Sequence, residues 1–323
     1  MRIPTQPLTG PSVPERPRDT PSHPLLVQLL LSLRPKQWPK NFLVFLALVF
    51  SVKQYWNPAD LNVAAELLRD SSLAFVLFCV LSGATYIIND LADAPQDREH
   101  PTKRYRPIAS GGVPTPLALS TAGVLALLGI AGSFLLETSF GLLAMGYTAL
   151  MIAYSLSLKH MVILDVFVIA TGFLLRAVGG ALVINVPISP WLYLCTILGA
   201  LFIGLVKRRQ EIVLLEGEAA SHRRILDEYS LGLIDQMINV VTPSTVIAYS
   251  FYTFSAESLP ANHAMMLTIP FVLYGIFRYL YLSHTKSMGG SPEEVLLKDK
   301  PLLIDILLWI VVSATVLIVY RAP

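Results

Sequence analysis

A chain of 323 residues with 54% hydrophobic and only 14% charged positions is more apolar than a soluble globular core requires. It reads as an all-α, polytopic membrane protein rather than a soluble domain. The formal net charge of +2 decides little by itself, and no nucleic-acid partner is expected.

Residues 1–24 are rich in Pro and polar side chains and lack the apolar core of a signal peptide. A disordered cytosolic tail is expected there, with residues 25–323 forming one integral-membrane domain. The stretch 25–33 is apolar but too short to span. Runs of about 20 apolar residues can cross a bilayer as helices. Nine are expected, near 38–56, 72–91, 117–135, 139–157, 163–184, 190–206, 237–256, 264–283 and 303–320. With the N-terminus inside, Lys and Arg collect on the inner side. Only Lys53, Arg69 and Arg321 fall outside, and Arg176 and Arg278 lie within spans. The positive-inside rule therefore supports nine passes through an inner (plasma) membrane from a cytoplasmic N-terminus. Every motif of interest then lies on the cytoplasmic face, where basic loops suit membrane lipid heads and phosphorylated substrates.

The stretch from Leu33 to Asn41 precedes the first span. Arg34 and Trp38 are explained by a topology signal and an interfacial anchor, while Lys40 is open to a further role. Cys79 and Cys195 both sit in apolar runs without metal-ligand spacing and read as small core residues.

Where the second apolar run ends, Asn89, Asp90, Asp93 and Asp97 are followed directly by a segment carrying Arg98, His100, Lys103, Arg104 and Arg106. Ionisable groups are costly near hydrocarbon, so a functional site is the default reading. Positions 90, 93 and 97 share one face of a helix, although Pro95 disfavours helical geometry at Ala94 and predicts a kink or an end there. Asp97 would then fold back from a loop. Either geometry lets hard oxygens converge on Mg²⁺, which takes one or two carboxylates with waters and substrate phosphates. A solvated acidic helix end is the plainer alternative, and the basic run beside the acids argues against it.

Between spans four and five, Lys159 and His160 sit in a tight turn and Asp165 follows inside the next span. An acid one turn into a membrane helix needs a partner, and Lys159 is nearest in sequence. A structural ion pair and a substrate contact are both open. Arg176 lies eleven residues further, on the same helical face as Asp165. Pairing between helices is its first reading and direct substrate contact its second, and Arg278 is read likewise. Lys207, Arg208 and Arg209 close span six as an inner flank, where Glu211 argues for more than an anchor.

The run Tyr86-Ile-Ile-Asn-Asp-Leu-Ala-Asp-Ala-Pro-Gln-Asp97 resembles the first aspartate-rich motif of the UbiA superfamily of intramembrane prenyltransferases, whose members have nine helices. The resemblance runs from about Leu33 to the end. Leu33–Trp38, Arg98–Gly111, Leu158–His160, Lys207–Glu211 and Pro292–Asp299 are similar to one branch, the decaprenyl-phosphate phosphoribosyltransferases. Prenyltransferases of the superfamily typically carry a second acidic cluster between spans four and five. This chain offers only Asp165 there, beside Lys159 and His160. Bases in place of acids suit a reaction between two anions, whose repulsion must be offset in a low-dielectric site.

The resemblance implies a Mg²⁺-dependent phosphoribosyltransferase. It would move the 5-phosphoribosyl group from 5-phosphoribosyl 1-diphosphate to a polyprenyl (decaprenyl) phosphate and feed arabinan precursor synthesis in the cell envelope. Asp90, Asp93 and Asp97 with Asn89 would hold the metal. Lys103, Arg104 and Arg106 would sit over the donor phosphates, and Lys40, Lys159, Lys207 and Arg208 are candidates for the others, with Asp165 and Arg176 lining the substrate site. Asp90, Asp93 and Lys159 are the expected catalytic groups. A homo-oligomer is left open. Two alternatives compete: a prenyl transfer to an aromatic or quinone-precursor acceptor, and a transporter, which would place its charges at midplane among broken helices.

Overall fold

Inside hydrocarbon no water is available to backbone N–H and C=O groups, so a chain this apolar satisfies them within helices. The computed structural model describes residues 23–100, 102–215, 228–256, 259–286, 295 and 298–320. Nearly all of the expected N-terminal tail, and most of the run 292–299, lie outside the described residues. Among the described residues all regular structure is helical apart from one isolated bridge between Val52 and Trp56. In order, the α-helices are α1 (Leu25–Ser32), α2 (Leu46–Phe50), α3 (Leu61–Glu99), α4 (Thr115–Leu136), α5 (Thr138–Leu156), α6 (Leu164–Val183), α7 (Pro190–Leu215), α8 (Leu231–Ser255), α9 (Ile269–Lys286) and α10 (Lys300–Tyr320).

Eight helical segments among the described residues, from α3 to α10, are long and apolar enough to cross a membrane. The expected span at 38–56 is not one of them. Residues Pro35–Phe45 form a 3₁₀ helix with Pro39 inside it, and α2 adds a short continuation. Pro39 has no N–H to give to a carbonyl one turn back, which removes part of the α ladder. A 3₁₀ helix rises about 2.0 Å per residue, so the two pieces together still reach roughly 30 Å.

This irregular segment packs against α3 and α6. A Cβ on Gly180 of α6 would lie 1.9 Å from the Val44 carbonyl oxygen, so only glycine permits the approach. Val44, Ala47, Phe78, Phe140, Tyr147 and Ala181 form the core on this side. The Phe78 ring meets Phe140 and Tyr147 edge-on, with centroids 5.5 and 5.4 Å away, an arrangement that ring quadrupoles favour. A second core joins α6, α7, α8 and α9 through Val166, Phe202, Val206, Ile234, Ile238 and Tyr279. Leu127, Leu135, Val240 and Leu267 are instead turned outward. Large apolar side chains on the outside are what lipid tails accept, and the protein is a multi-pass membrane protein.

Helix α3 positions the site. Asp60 caps its start by accepting from the Val63 N–H (3.2 Å). Its 39 residues make a rod of roughly 58 Å, nearly twice the hydrocarbon thickness of about 30 Å. The helix therefore runs on beyond its apolar stretch and carries the acidic residues with it. Of the kink or end expected at Ala94, the end does not occur: α3 continues through Pro95. Proline removes one N–H, leaving the Leu91 carbonyl without its helical donor, while Ala94 is buried against Ile87, Ile108 and Val113 and holds the last turn in place.

Candidate active site

Because α3 continues through Pro95, Asp90, Asp93 and Asp97 line one helical face, and all three are buried. Three connecting segments bring cations to that face. The first is the bend between α1 and the 3₁₀ helix, where Arg34 donates to Asp90 and lies over the Tyr86 ring at 5.0 Å. Arg34 holds a left-handed backbone (φ 51°, ψ 62°), uncommon for a residue with a side chain and of the kind that collects at functional sites.

The second is the loop after α3. Its 3₁₀ turn Lys103–Tyr105 leads into Arg106, whose Nη1 reaches Asp97 at 2.7 Å and Asp90 at 3.2 Å. The loop is fixed by Ile108 and Val113, buried against α3 and α4, and by Arg98 Nε donating to the Ala109 carbonyl (3.1 Å). The third is the turn after α5, where Leu158–His160 form a 3₁₀ helix. From it Lys159, only 2% exposed, donates to Asp93 Oδ1 at 2.5 Å. Asn89 donates to the other oxygen of the same carboxylate at 3.0 Å.

Three carboxylates are thus met by Arg34, Arg106 and Lys159. Near-neutral charge is what a buried cluster requires, since an unpaired buried ion is very costly. The pairing of Lys159 corrects the sequence expectation, which set it against Asp165. Asp165 is fully buried and instead accepts from Arg208 Nη2 (2.6 Å) and from the Tyr229 hydroxyl (2.7 Å). Arg208 also donates to Glu211. Burial, and then the hydrogen bond to Asp165, pushes the Tyr229 phenol above its ordinary range.

Other expected residues stand further out or in other company. Lys40 donates to Gln37, and Arg104 bonds the Tyr105 hydroxyl at 2.8 Å and lies over that ring. Lys103 and Lys207 are half-buried. Arg176 is buried in the bundle interior, donating to Asn41 Oδ1 (2.7 Å), the Gly172 carbonyl (2.6 Å) and the Tyr147 hydroxyl (2.7 Å). It ties α6 to the 3₁₀ helix and α5. Arg278 pairs with Asp299 through two hydrogen bonds, 3.1 and 2.8 Å. Cys79 and Cys195 are free, and neither is exposed.

Among the described residues no three acidic, His or Cys side chains converge into a ready metal cage. Magnesium seldom needs one, because it keeps waters and takes substrate phosphate oxygens. The donor set fits it: hard oxygens of Asp90, Asp93, Asp97 and Asn89 on one face, held now by side chains able to exchange. A cavity of about 470 Å³ lies elsewhere, between α8 and α9, lined by Asp235, Asn239, Thr242 and His284 among others. It shares no residue with the acid cluster, and the convergence of charge outweighs its size in locating the site.

Residues 43–291 match the model of the UbiA prenyltransferase family. The chain belongs to that family. It is 35% identical over 306 residues to the decaprenyl-phosphate phosphoribosyltransferase of Mycolicibacterium smegmatis, covering 91% of this chain and 94% of the relative. It is likewise 35% identical over 300 residues to the Corynebacterium glutamicum protein of the same name, covering 91% and 87%. A UbiA homolog from Archaeoglobus fulgidus, solved with DMAPP and Mg²⁺, superposes with a TM-score of 0.66 at 18% identity, covering 90% of this chain and 99% of that one. For this UbiA chain the last likeness establishes the fold, and the matched region contains the aspartates and Lys159.

Sequence reasoning passed over Arg34, which an anchoring role explained, and Tyr229, which carried no signal at all. Arg34 had one available mark: a cation immediately before Pro35, where the chain must bend toward the end of α3.

Proposed function

We propose that this protein transfers the 5-phosphoribosyl group from 5-phosphoribosyl 1-diphosphate to a membrane polyprenyl phosphate, decaprenyl phosphate by analogy with its named relatives, releasing diphosphate. The carrying observation is the buried Lys159–Asp93 contact. The turn where superfamily prenyltransferases bring more acid instead brings an amine to the aspartates. Together with Arg34 and Arg106, it gives the site cations enough for two anionic substrates.

In this reading Arg34, Arg106 and Lys159 leave the carboxylates and turn to donor phosphates, with Lys103 and Arg104 at the rim. Magnesium held by Asp90 and Asp93, with Asn89 and Asp97 beside them, would supply neutralisation of the departing diphosphate. A phosphate oxygen of the lipid attacks the anomeric carbon as the bond to diphosphate breaks, through an oxocarbenium-like state. The acceptor is already ionised, so the residues need supply no general base. Lys40 and Lys207 remain assigned to the remaining phosphates, while Arg208, buried against Asp165 and Glu211, joins Arg176 in holding helices together. The site faces the cytoplasm of the plasma membrane, and residues 25–323 act as one membrane domain behind a cytosolic tail.

The test is a donor swap on purified protein in detergent with Mg²⁺. Polyprenyl phosphate with 5-phosphoribosyl 1-diphosphate should give a lipid heavier by one phosphoribosyl group, lost on chelation. Prenyl diphosphate with 4-hydroxybenzoate should give nothing, and a prenylated aromatic instead would overturn the proposal.

A further inference from the structure

Lys159 reaches Asp93 from a turn that the backbone does not favour. Between Lys159 and the start of α6, the Leu164 N–H donates to the Val162 carbonyl at 2.8 Å, closing a three-residue turn around Ile163. Ile163 has φ 70° and ψ −47°, the rare and strained hand of that turn. For a β-branched residue a positive φ is a genuine outlier, and such a conformation persists only where its surroundings hold it. The Ile163 side chain is not what holds it, being 46% exposed.

The backbone is what is held. The Ile163 N–H donates to the Tyr229 hydroxyl at 2.5 Å, and that hydroxyl in turn donates to Asp165 at 2.7 Å. Asp165 is fixed from its other side by Arg208 of α7. A single oxygen thus bridges the strained residue and the first turn of α6, and Tyr229 comes from the segment that leads into α8. The pushed-up phenol of Tyr229 keeps its proton over the working pH range, so it remains a donor to Asp165.

We propose that Tyr229 is a positioning residue for Lys159: its hydroxyl, clamped between the Ile163 N–H and Asp165, locks the strained turn that aims Lys159 at Asp93. The segment before α8 thereby controls a cation in a site it does not itself enter. The geometric claim is independent of the substrate, and only its catalytic consequence rests on the phosphoribosyl-transfer reading.

The experiment is amine acylation of the full-length protein in detergent, read residue by residue by mass spectrometry. Lys159 should be protected in the parent. Tyr229→Phe keeps the ring in its packing and removes one oxygen, and it should raise Lys159 labelling about five- to tenfold, the size of one lost hydrogen bond, while exposed Lys36 is unchanged. Labelling of Lys159 within about twofold of the parent, inside the scatter of independent sites, would overturn the proposal. Ile163→Gly removes the strain, and added to Tyr229→Phe it should return Lys159 toward parental protection. Continued over-labelling in that pair would also overturn it, and the pair offers a second folded variant should Tyr229→Phe alone prove unstable.

Turnover supplies the other arm. Tyr229→Phe should lower kcat in the parent and have no further effect beside Lys159→Ala, because a residue acting through Lys159 is silent without it. An equal loss in both backgrounds would mark a merely structural role and sink the idea. Absence of any phosphoribosyl transfer by the parent would count against the function alone, since the labelling needs no substrate.

Discussion

Arg176 and Arg106 each hold a guanidinium against partners from elsewhere in the chain, but the partners differ in kind. Arg176 meets an amide oxygen, a backbone carbonyl and a phenol, and its charge lies over the rings of Phe78, Tyr147 and Phe173. Arg106 meets two carboxylates. The first is buried in the bundle; the second keeps 27% of its side chain exposed, and Arg34 on the same carboxylate keeps 24%. Neutral acceptors satisfy the hydrogen bonds of Arg176 without cancelling its charge, and withdrawing it would leave the buried Asn41 oxygen without its donor. Carboxylates paired to accessible cations can trade one ion for another at small net cost. Burial alone therefore does not mark a working charge in this bundle. What distinguishes it is having a partner that an incoming anion or cation can replace.

The comparison is broken most severely at the carboxylates. Asp90→Ala or Asp93→Ala should reduce phosphoribosyl transfer by roughly a thousandfold or more, the scale of losing a principal charge-stabilising group, while the elution profile in detergent stays that of the parent. Activity retained in either would remove the metal assignment. Next comes Arg106→Ala, expected to lower kcat/KM for the donor by roughly ten- to a hundredfold, as charge-assisted contacts of about 1.5–3 kcal/mol would. Arg106→Lys should recover little of this, because an ammonium lacks the planar fork of the guanidinium. A donor KM indistinguishable from the parent would move Arg106 into the same structural class as Arg176.

The acid cluster was legible because carboxylates at the end of an apolar run have few harmless explanations. The helix that carries it was less so. Pro95 in the sequence signals a kink or an end, yet a proline so near a helix end removes one bond while the packing of Ala94 and the pairing of Asp97 keep the turn. The partner of Lys159 was not legible. Nearness in sequence favoured Asp165, six residues away, whereas the true contact crosses 66 positions to Asp93 and depends on how α5 packs beside α3. The first expected span differs in kind for a local reason, since hydropathy registers apolar length and not the loss of an N–H donor at Pro39, inside the 3₁₀ helix that forms there. Tyr229 could not have been found, because a tyrosine in a polar loop has no pattern of its own.

Arg176 gives a third test with the opposite signature. Arg176→Met keeps volume and removes every side-chain donor, leaving the Asn41 oxygen buried and unsatisfied at about 1–3 kcal/mol. Thermal stability in detergent should fall clearly, while turnover per folded molecule stays close to the parent. If instead turnover collapsed with stability intact, the interior arginine would belong with the site, and the contrast between the two arginines would be wrong.

The smallest effect is expected at Asp299, a carboxylate that shares no hydrogen-bond partner with the acid cluster and pairs with Arg278 through two bonds. Its bonds to Arg278 hold its carboxyl below the ordinary range, helped by the Leu302 N–H it caps at 2.9 Å. A folded value below the unfolded one means the stabilisation is fully present above the unfolded value of about pH 4 and is lost as pH falls through the lower folded value. Asp299→Asn retains a cap for α10 but not the charge. It should cost less than about 1 kcal/mol at neutral pH and flatten the acid limb of stability. Melting temperatures followed from about pH 5 to about pH 3, across the usual carboxylate range, would check this. A variant with the slope of the parent would show that the Arg278–Asp299 pair does not set the acid limb.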